Sequence, residues 1–102
     1  MAELCRRLSI DLLVPAVDEE LVLLARNVDS LAPTCLLLPE LDYVETMLDK
    51  LRMIELLAKK QLPVPRSCTL DDNLGGLCFP CIAKPRSGRG SRDVRVMNTV
   101  AD

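Results

Sequence analysis

The chain has 102 residues, of which 49% are hydrophobic and 27% are charged, a composition typical of a folded domain rather than a disordered segment. The net charge of −2 and the pI near 5.1 argue against a surface that attracts nucleic acid as a whole. The longest apolar runs are far shorter than the roughly 20 residues of a membrane-spanning helix, and no signal peptide is recognisable. We therefore expect no nucleic-acid partner, no membrane partner and a cytoplasmic location.

Residues 1–39 show an alternation of helical and strand patterns. Residues 2–8 have the pattern of an amphipathic helix, and residues 10–17 form a short run that is almost entirely apolar. Such a run is typical of a strand that is buried on both faces in a parallel sheet. Asp18 is expected to cap a helix that extends to Asn27, and residues 35–38 are expected to form a second buried strand. This order predicts a Rossmann-like α/β layer.

Residues 40–102 have a different pattern. Apolar side chains recur on one helical face from Leu41 to Lys60, and the prolines that follow are expected to end this helix. A helical turn capped by Thr69 is predicted to extend to Gly76. Residues 79–84 and 93–97 then read as two strands joined by a loop of Gly, Ser and Arg. This segment is expected to end in a glycine-rich β-hairpin.

The chain has five cysteines and no histidine. An odd number of cysteines in apolar surroundings is typical of reduced, buried thiols. Cys78 and Cys81 match a Cys-x-x-Cys pattern, but a redox pair needs its first cysteine at a helix N-terminus and a zinc site needs further ligands. We interpret both as buried small hydrophobes and assign no metal site and no catalytic residue, since Ser-His and Cys-His mechanisms require histidine.

The hairpin loop carries the strongest chemical signal. Gly88 and Gly90 allow backbone N–H groups to approach an anion, and Ser87 and Ser91 add hydroxyl donors. Lys84, at the end of the preceding strand, supplies a point charge suited to phosphate. The loop matches neither a Walker A motif nor a dinucleotide fingerprint. Two interpretations stay open, a phosphate-binding loop and a solvated basic hairpin tip.

An acidic cluster, Asp18, Glu19 and Glu20, follows the first predicted strand. The carboxyl ends of strands in α/β sheets often bind ligands, so these side chains are weak candidates for contact with a substrate or Mg²⁺. Favourable interaction with the N-terminus of the following helix explains them equally well.

Four segments follow one another along the second half of the chain: Asp49-Lys50, Leu62-Pro63-Val64-Pro65, residues 79–85 and residues 87–92. These segments, in this order, resemble the ATP-grasp superfamily, and most of all the carbamoyl-phosphate synthase large subunit and related carboxylate–amine ligases. Residues 12–21 also resemble a strand–helix junction of the domain that precedes the ATP-grasp domain in this family, so the resemblance covers essentially the whole chain.

The resemblance implies a domain organisation and a set of site residues. Residues 1–39 would be the end of a Rossmann-like pre-ATP-grasp domain, and residues 40–102 the first part of an ATP-grasp domain with its glycine-rich β-hairpin. Lys50 and Lys84 would contact the phosphates of ATP. The lid over the β and γ phosphates would consist of Ser87, Gly88, Arg89, Gly90 and Ser91.

At three positions the site roles implied by the family resemblance are open to another interpretation. Lys50 has an alternative interpretation as an exposed helix lysine that pairs with an acid. Arg89 stands where the family often has a small residue, and Asp93 stands where glycine is common. Asp93 would restrict the loop or pair with Arg92 or Arg95, so its role and that of Arg92 stay open.

The resemblance also implies a reaction. The parent enzyme would be an ATP-dependent ligase or synthase that converts a small carboxylate substrate to an acyl-phosphate, which an amine then attacks. In the family the adenine-binding hinge and the Mg²⁺ ligands follow the hairpin, beyond the end of this chain. We therefore expect the chain to be a fragment that is cut at both ends. It is expected to bind nucleotide weakly and not to catalyse a reaction alone. Self-association through exposed sheet edges is also expected. The alternative is a non-catalytic anion- or nucleotide-binding remnant or interaction module.

Overall fold

The computed structural model describes all residues, Met1–Asp102, as a small α/β chain. The helices are α1 (Ala2–Arg7), α2 (Asp18–Arg26), α3 (Leu41–Leu48) and α4 (Lys50–Lys59), and the strands are β1 (Leu12–Leu13), β2 (Cys35–Leu36), β3 (Cys81–Ala83) and β4 (Arg95–Met97). The chain divides into two compact units, Met1–Glu45 and Thr46–Asp102, with the boundary inside α3. None of the helices has the length and apolar character required to cross a bilayer.

The first unit has the predicted alternation of helix and strand. β1 and β2 pair in parallel, with Leu12 opposite Cys35 and Leu13 opposite Leu36. The backbone N–H of Leu37 also donates to the carbonyl of Leu13 at 2.9 Å, which extends the ladder by one residue. A parallel pair requires a crossover connection, and α2 with the short 3₁₀ helix Val28–Leu31 supplies it. The predicted parallel pairing is confirmed, whereas the Rossmann-like assignment stays a prediction.

The prediction that these strands are buried on both faces is wrong. Leu12 and Val14 are 52% and 56% exposed, and Leu37 is 61% exposed. A sheet of only two strands leaves each strand with an open edge, and one small helical layer cannot cover both of its faces. The buried hydrophobic residues are instead Cys5 on α1, Leu31 on the 3₁₀ helix and Val44 on α3. The 3₁₀ helix contacts both α1 and β2.

The start of α2 also differs from the prediction. Val17, with an extended backbone, occupies the N-cap position, and no side chain caps the helix. Asp18 is therefore the first helical residue rather than the cap. Its carboxylate still lies in the first turn with those of Glu19 and Glu20, where negative charge opposes the positive end of the helix dipole.

The single helix predicted from Leu41 to Lys60 is in fact two helices. α3 ends at Leu48, and α4 begins at Lys50 after Asp49, whose backbone is extended (φ −95°, ψ 105°). The Asp49 carboxylate accepts hydrogen bonds from the backbone N–H groups of Leu51 at 3.0 Å and Arg52 at 3.2 Å. An aspartate that satisfies the first N–H groups of a new helix competes with continuation of the old one. The helical spacing of apolar residues in the sequence does not reveal an interruption of the helix by a single residue.

The predicted β-hairpin of the second unit is confirmed. β3 and β4 pair antiparallel in the register Cys81 to Met97, Ile82 to Val96 and Ala83 to Arg95, although both strands are shorter than predicted. Ile82 and Val96 face the same side and are 66% and 64% exposed. Cys81, Ala83 and Met97, on the opposite side, line a small cavity together with Phe79.

The predicted turn from Thr69 to Gly76 is a tight turn followed by a 3₁₀ helix. The N–H and hydroxyl of Thr69 donate to the Asp72 carboxylate at 2.7 and 2.9 Å. The 3₁₀ helix, Leu74–Gly76, is capped by Asn73, whose side-chain oxygen accepts from Gly75 N–H at 2.9 Å. The prediction of Thr69 as the helix cap is therefore wrong.

All five cysteines are free thiols, as expected, but only Cys5 is buried. Cys68 and Cys81 are half-buried, and Cys35 and Cys78 are exposed. The prediction of buried thiols is wrong at these four positions, because two small units enclose too little volume to cover them.

We expect Leu31→Ala to destabilise the first unit strongly. Leu31 is 2% exposed, so truncation leaves a cavity and costs about 2–5 kcal/mol of unfolding free energy. Leu23→Ala is the matched control, since Leu23 is 66% exposed on α2. Urea unfolding measures both, and equal losses in the two variants would contradict the assignment of Leu31 to the core.

Candidate functional site at the start of α4 and the glycine-rich loop

An ion pair joins the hairpin loop to the start of α4. The Arg86 guanidinium donates from Nε to Asp49 Oδ1 at 3.1 Å and from Nη2 to Asp49 Oδ2 at 2.5 Å. Two parallel N–H···O bonds of this kind constrain orientation as well as distance, because both groups are planar. The Asp49 side chain is 24% exposed and that of Arg86 is 56% exposed. The pair therefore lies at the surface with its carboxylate partly shielded.

The electrostatics of Asp49 follow from these contacts. The hydrogen bond from Arg86 is the main reason that the pKa of the Asp49 carboxyl falls from 3.8 to about 2, and partial loss of solvent opposes the shift. The backbone N–H groups of Arg52 and Leu51 lower the pKa further. The same pair raises the pKa of Arg86. Both partners are consequently ionised throughout the physiological pH range.

Lys50, a residue predicted to contact phosphate, lies against the loop. Its backbone N–H donates to the carbonyl of Arg86 at 2.9 Å. Its Nζ donates to the carbonyl of Gly88 at 2.8 Å and to that of Arg86 at 3.5 Å. The alternative interpretation of Lys50 as an exposed lysine paired with an acid is wrong, since the side chain is half-buried and bonds to backbone oxygens. The structure thus brings together Lys50 and the predicted lid.

The tip of the loop has a backbone that glycine permits. Gly88 and Gly90 have φ values of +99° and +71°, and a Cβ at either position would meet nothing within 4 Å. Strain from the left-handed backbone, rather than lack of space, is therefore the reason for glycine at these two positions. Ser91 and Asp93 also have positive φ values of 56° and 57°.

Several amide donors of the loop are open to solution. Residues 84–92 are all exposed. The backbone N–H groups of Ser87, Gly88, Gly90 and Ser91 donate to no acceptor within the protein. Exposed amides of this kind bond to water and are equally able to bond to an anion, particularly where successive N–H groups converge.

The other predicted residues are placed as follows. Lys84 directly follows β3, is exposed, and forms neither a hydrogen bond nor an ion pair. Asp93 forms no ion pair with Arg92 or Arg95, so of the two roles left open for Asp93 the pairing is absent. The acidic cluster of residues 18–20 belongs to the first unit, where all its members are exposed.

The carboxylates do not form a metal centre. No group of three or more His, Cys, Asp or Glu side chains is arranged to hold a metal ion. We assign Mg²⁺ no step through the residues of this chain.

Sequence reasoning missed Asp49 and Arg86 as partners. Asp49 carried a detectable signal, since aspartate is a favoured N-cap residue and stands directly before a run of good helix formers. No local signal marks Arg86, because its partner lies 37 positions away in the sequence.

Comparison with known proteins gives no assignment. No family model matches the chain, and neither the curated proteins nor the solved structures contain a significant match.

We expect the Asp49 carboxyl to titrate near pH 2 and, in Arg86→Gln, closer to 3.8. Because the pKa is lower in the folded than in the unfolded state, the pair's contribution to folding stability is fully present above about pH 4. That contribution is lost as the pH falls through about 2. The ¹³C chemical shift of the side-chain carboxyl measures this titration, and identical curves for the two proteins would exclude the ion pair in solution.

Proposed function

We propose that this chain is the phosphate-binding part of an ATP-grasp ligase or synthase, in which the hairpin loop covers the triphosphate of ATP. The observation that carries the proposal is the contact between Lys50 Nζ and the Gly88 carbonyl at 2.8 Å. It joins two segments of the ATP-grasp resemblance that are far apart in sequence. The antiparallel pairing of β3 and β4 supports it further, because a loop that folds over phosphates needs a hairpin to carry it.

The chemistry of the loop suits a polyphosphate. Exposed backbone N–H groups of Ser87, Gly88, Gly90 and Ser91 are donors for phosphate oxygens. Lys84 brings a positive charge that no protein group neutralises. Lys50 is a second ammonium beside the loop, which would exchange its carbonyl contacts for phosphate oxygens on binding. These residues bind and orient the triphosphate, and none of them is assigned a catalytic role.

ATP would supply the phosphoryl group in the parent reaction. Its γ-phosphoryl group passes to a carboxylate oxygen of a small substrate, ADP leaves, and an amine then displaces phosphate from the acyl-phosphate. The exposed acidic cluster of residues 18–20 remains a weak candidate for substrate contact. The proposal includes a cytoplasmic location, which is supported by five free thiols of the kind that a reducing compartment maintains.

A second candidate function is a non-catalytic anion-binding module. One observation favours it: the Lys50 ammonium is already bonded to two backbone carbonyls, and Asp49 already neutralises Arg86. The loop is therefore held in place by the protein's own groups. In this case inorganic tripolyphosphate would bind as tightly as ATP, whereas a nucleotide site would prefer ATP.

We expect ATP to protect Lys84 from an amine-directed label, because the bound triphosphate covers its ammonium group. Lys60, exposed at the end of α4, is the internal control and should react equally with and without ATP. Mass spectrometry of the labelled peptides measures both rates. Equal labelling of Lys84 at saturating ATP would refute contact between this lysine and the nucleotide.

We also expect Lys84→Ala to weaken ATP binding by roughly tenfold or more, the loss typical of one charge-assisted hydrogen bond. Lys60→Ala is the matched control and should bind ATP as the unmodified protein does. Isothermal titration calorimetry gives both dissociation constants. An unchanged constant for Lys84→Ala would remove this residue from the site.

A further inference from the structure

We propose that the small cavity of the second unit, together with the guanidinium of Arg66 beside it, is a binding site for a short-chain aliphatic carboxylate. The alkyl chain of the ligand occupies the cavity, and its carboxylate pairs with Arg66. Neither Lys50 nor Lys84 nor any residue of the glycine-rich loop lines this cavity. The proposal therefore does not rest on the nucleotide function proposed above.

The cavity is small and mainly apolar. It has a volume of about 60 Å³, and its walls include Leu70, Leu74, Leu77, Phe79 and Met97. This volume is less than half of the roughly 150 Å³ that holds a benzene ring, so a short aliphatic chain fits and an aromatic ring does not. Leu70 is 75% exposed, which leaves its side of the cavity open to solvent.

The side chain of Arg66 runs between two segments that line the cavity. Arg66 precedes Cys68, a lining residue, by two positions. Its guanidinium lies against Gly76, where a Cβ would collide with Nη2 and would lie 2.8 Å from Cζ. Gly76 stands between Leu74 and Leu77, and both of these leucines line the cavity. The guanidinium is therefore placed beside the cavity.

The charge of Arg66 has no partner in the protein, since its side chain forms no hydrogen bond and no ion pair. Of the acids nearest in sequence, Asp72 accepts from the N–H and the hydroxyl of Thr69, and Asp71 forms no ion pair. The planar N–H groups of a guanidinium match the two oxygens of a carboxylate. An unpaired guanidinium beside an apolar cavity favours a ligand with a carboxylate at one end and an alkyl chain at the other.

Gly76 provides the space that the guanidinium occupies. The φ of Gly76 lies outside the left-handed region, so the backbone conformation does not require glycine here. A methyl group at this position would displace the guanidinium, which is the far end of a flexible side chain and moves at little cost. Gly76→Ala is therefore expected to shift the positive charge away from the cavity without removing it.

Three variants separate the charge of Arg66 from its position and from its packing. Arg66→Met keeps an unbranched apolar stem but removes the charge, because the stem of arginine also covers apolar surface. Gly76→Ala keeps the charge but displaces it. Arg52→Met is the matched control, since Arg52 is an exposed arginine of the same unit whose side chain forms no hydrogen bond or ion pair.

The first experiment titrates the unmodified protein with butyrate, n-butanol and acetate, and follows the methyl signals of Leu74, Leu77 and Met97 by ¹H–¹³C NMR. Butyrate should shift these signals saturably, with a dissociation constant on the order of 1 mM, as expected for so small a ligand. Acetate lacks the chain and n-butanol lacks the charge, so each should bind roughly tenfold more weakly. Unshifted methyl signals, or equal binding of butyrate and n-butanol, would overturn the proposal. Equal binding of acetate and butyrate would overturn the role of the cavity.

The second experiment repeats the butyrate titration on the variants. Arg66→Met and Gly76→Ala should each bind butyrate roughly tenfold more weakly, and Arg52→Met should bind it as the unmodified protein does. The double variant should bind no more weakly than Arg66→Met alone, because both changes remove the same contact.

Binding of n-butanol to Arg66→Met shows whether the cavity is intact, and it should be unchanged. Loss of both ligands in Arg66→Met would assign Arg66 a packing role and overturn the pairing with a carboxylate. Unchanged butyrate binding by Arg66→Met would overturn the site as a whole. Unchanged butyrate binding by Gly76→Ala would overturn the placement of the guanidinium by Gly76.

Discussion

The arrangement of the candidate site depends on the carboxylate of Asp49. It ends one helix, starts the next and holds the arginine at the base of the hairpin loop. These roles reinforce one another, because the backbone N–H groups and the guanidinium all stabilise the ionised form of the same group. A helix break that would otherwise expose unpaired amides thereby becomes the attachment point of a loop distant in sequence.

The positive charges around the loop divide into two kinds. Arg86 is neutralised by an acid and has a structural role, whereas Lys84 is exposed without a partner. Lys50 is intermediate, since its ammonium is bonded to carbonyl oxygens but keeps its full charge. A basic segment in a sequence is therefore not in itself evidence of an anion-binding site. Only those positive charges that are not already paired with acidic groups of the protein are available to bind an anion.

The first unit has a small core and the second unit has no fully buried hydrophobic side chain, and the reason is the size of their sheets. Each sheet has two strands, so a large share of its apolar side chains faces outward, as at Leu12, Leu37, Ile82 and Val96. Only Cys5, Leu31 and Val44 are buried hydrophobic residues. Local hydrogen bonds at caps and turns consequently matter more here than in a domain with a large core.

The sequence alone determined the order of helices and strands, the parallel and antiparallel pairings and the glycine loop, because these follow from local periodicity, turn residues and short connections. It also placed Lys50 and the loop in one candidate site, through the resemblance to ATP-grasp enzymes. Only the tertiary structure decided the exposure of the strands, the break at Asp49 and the pair with Arg86. The burial of a residue depends on how many layers of structure cover it. An ion pair between residues 37 positions apart depends on the path of the chain between the two residues. A local sequence pattern encodes neither the layers nor the path.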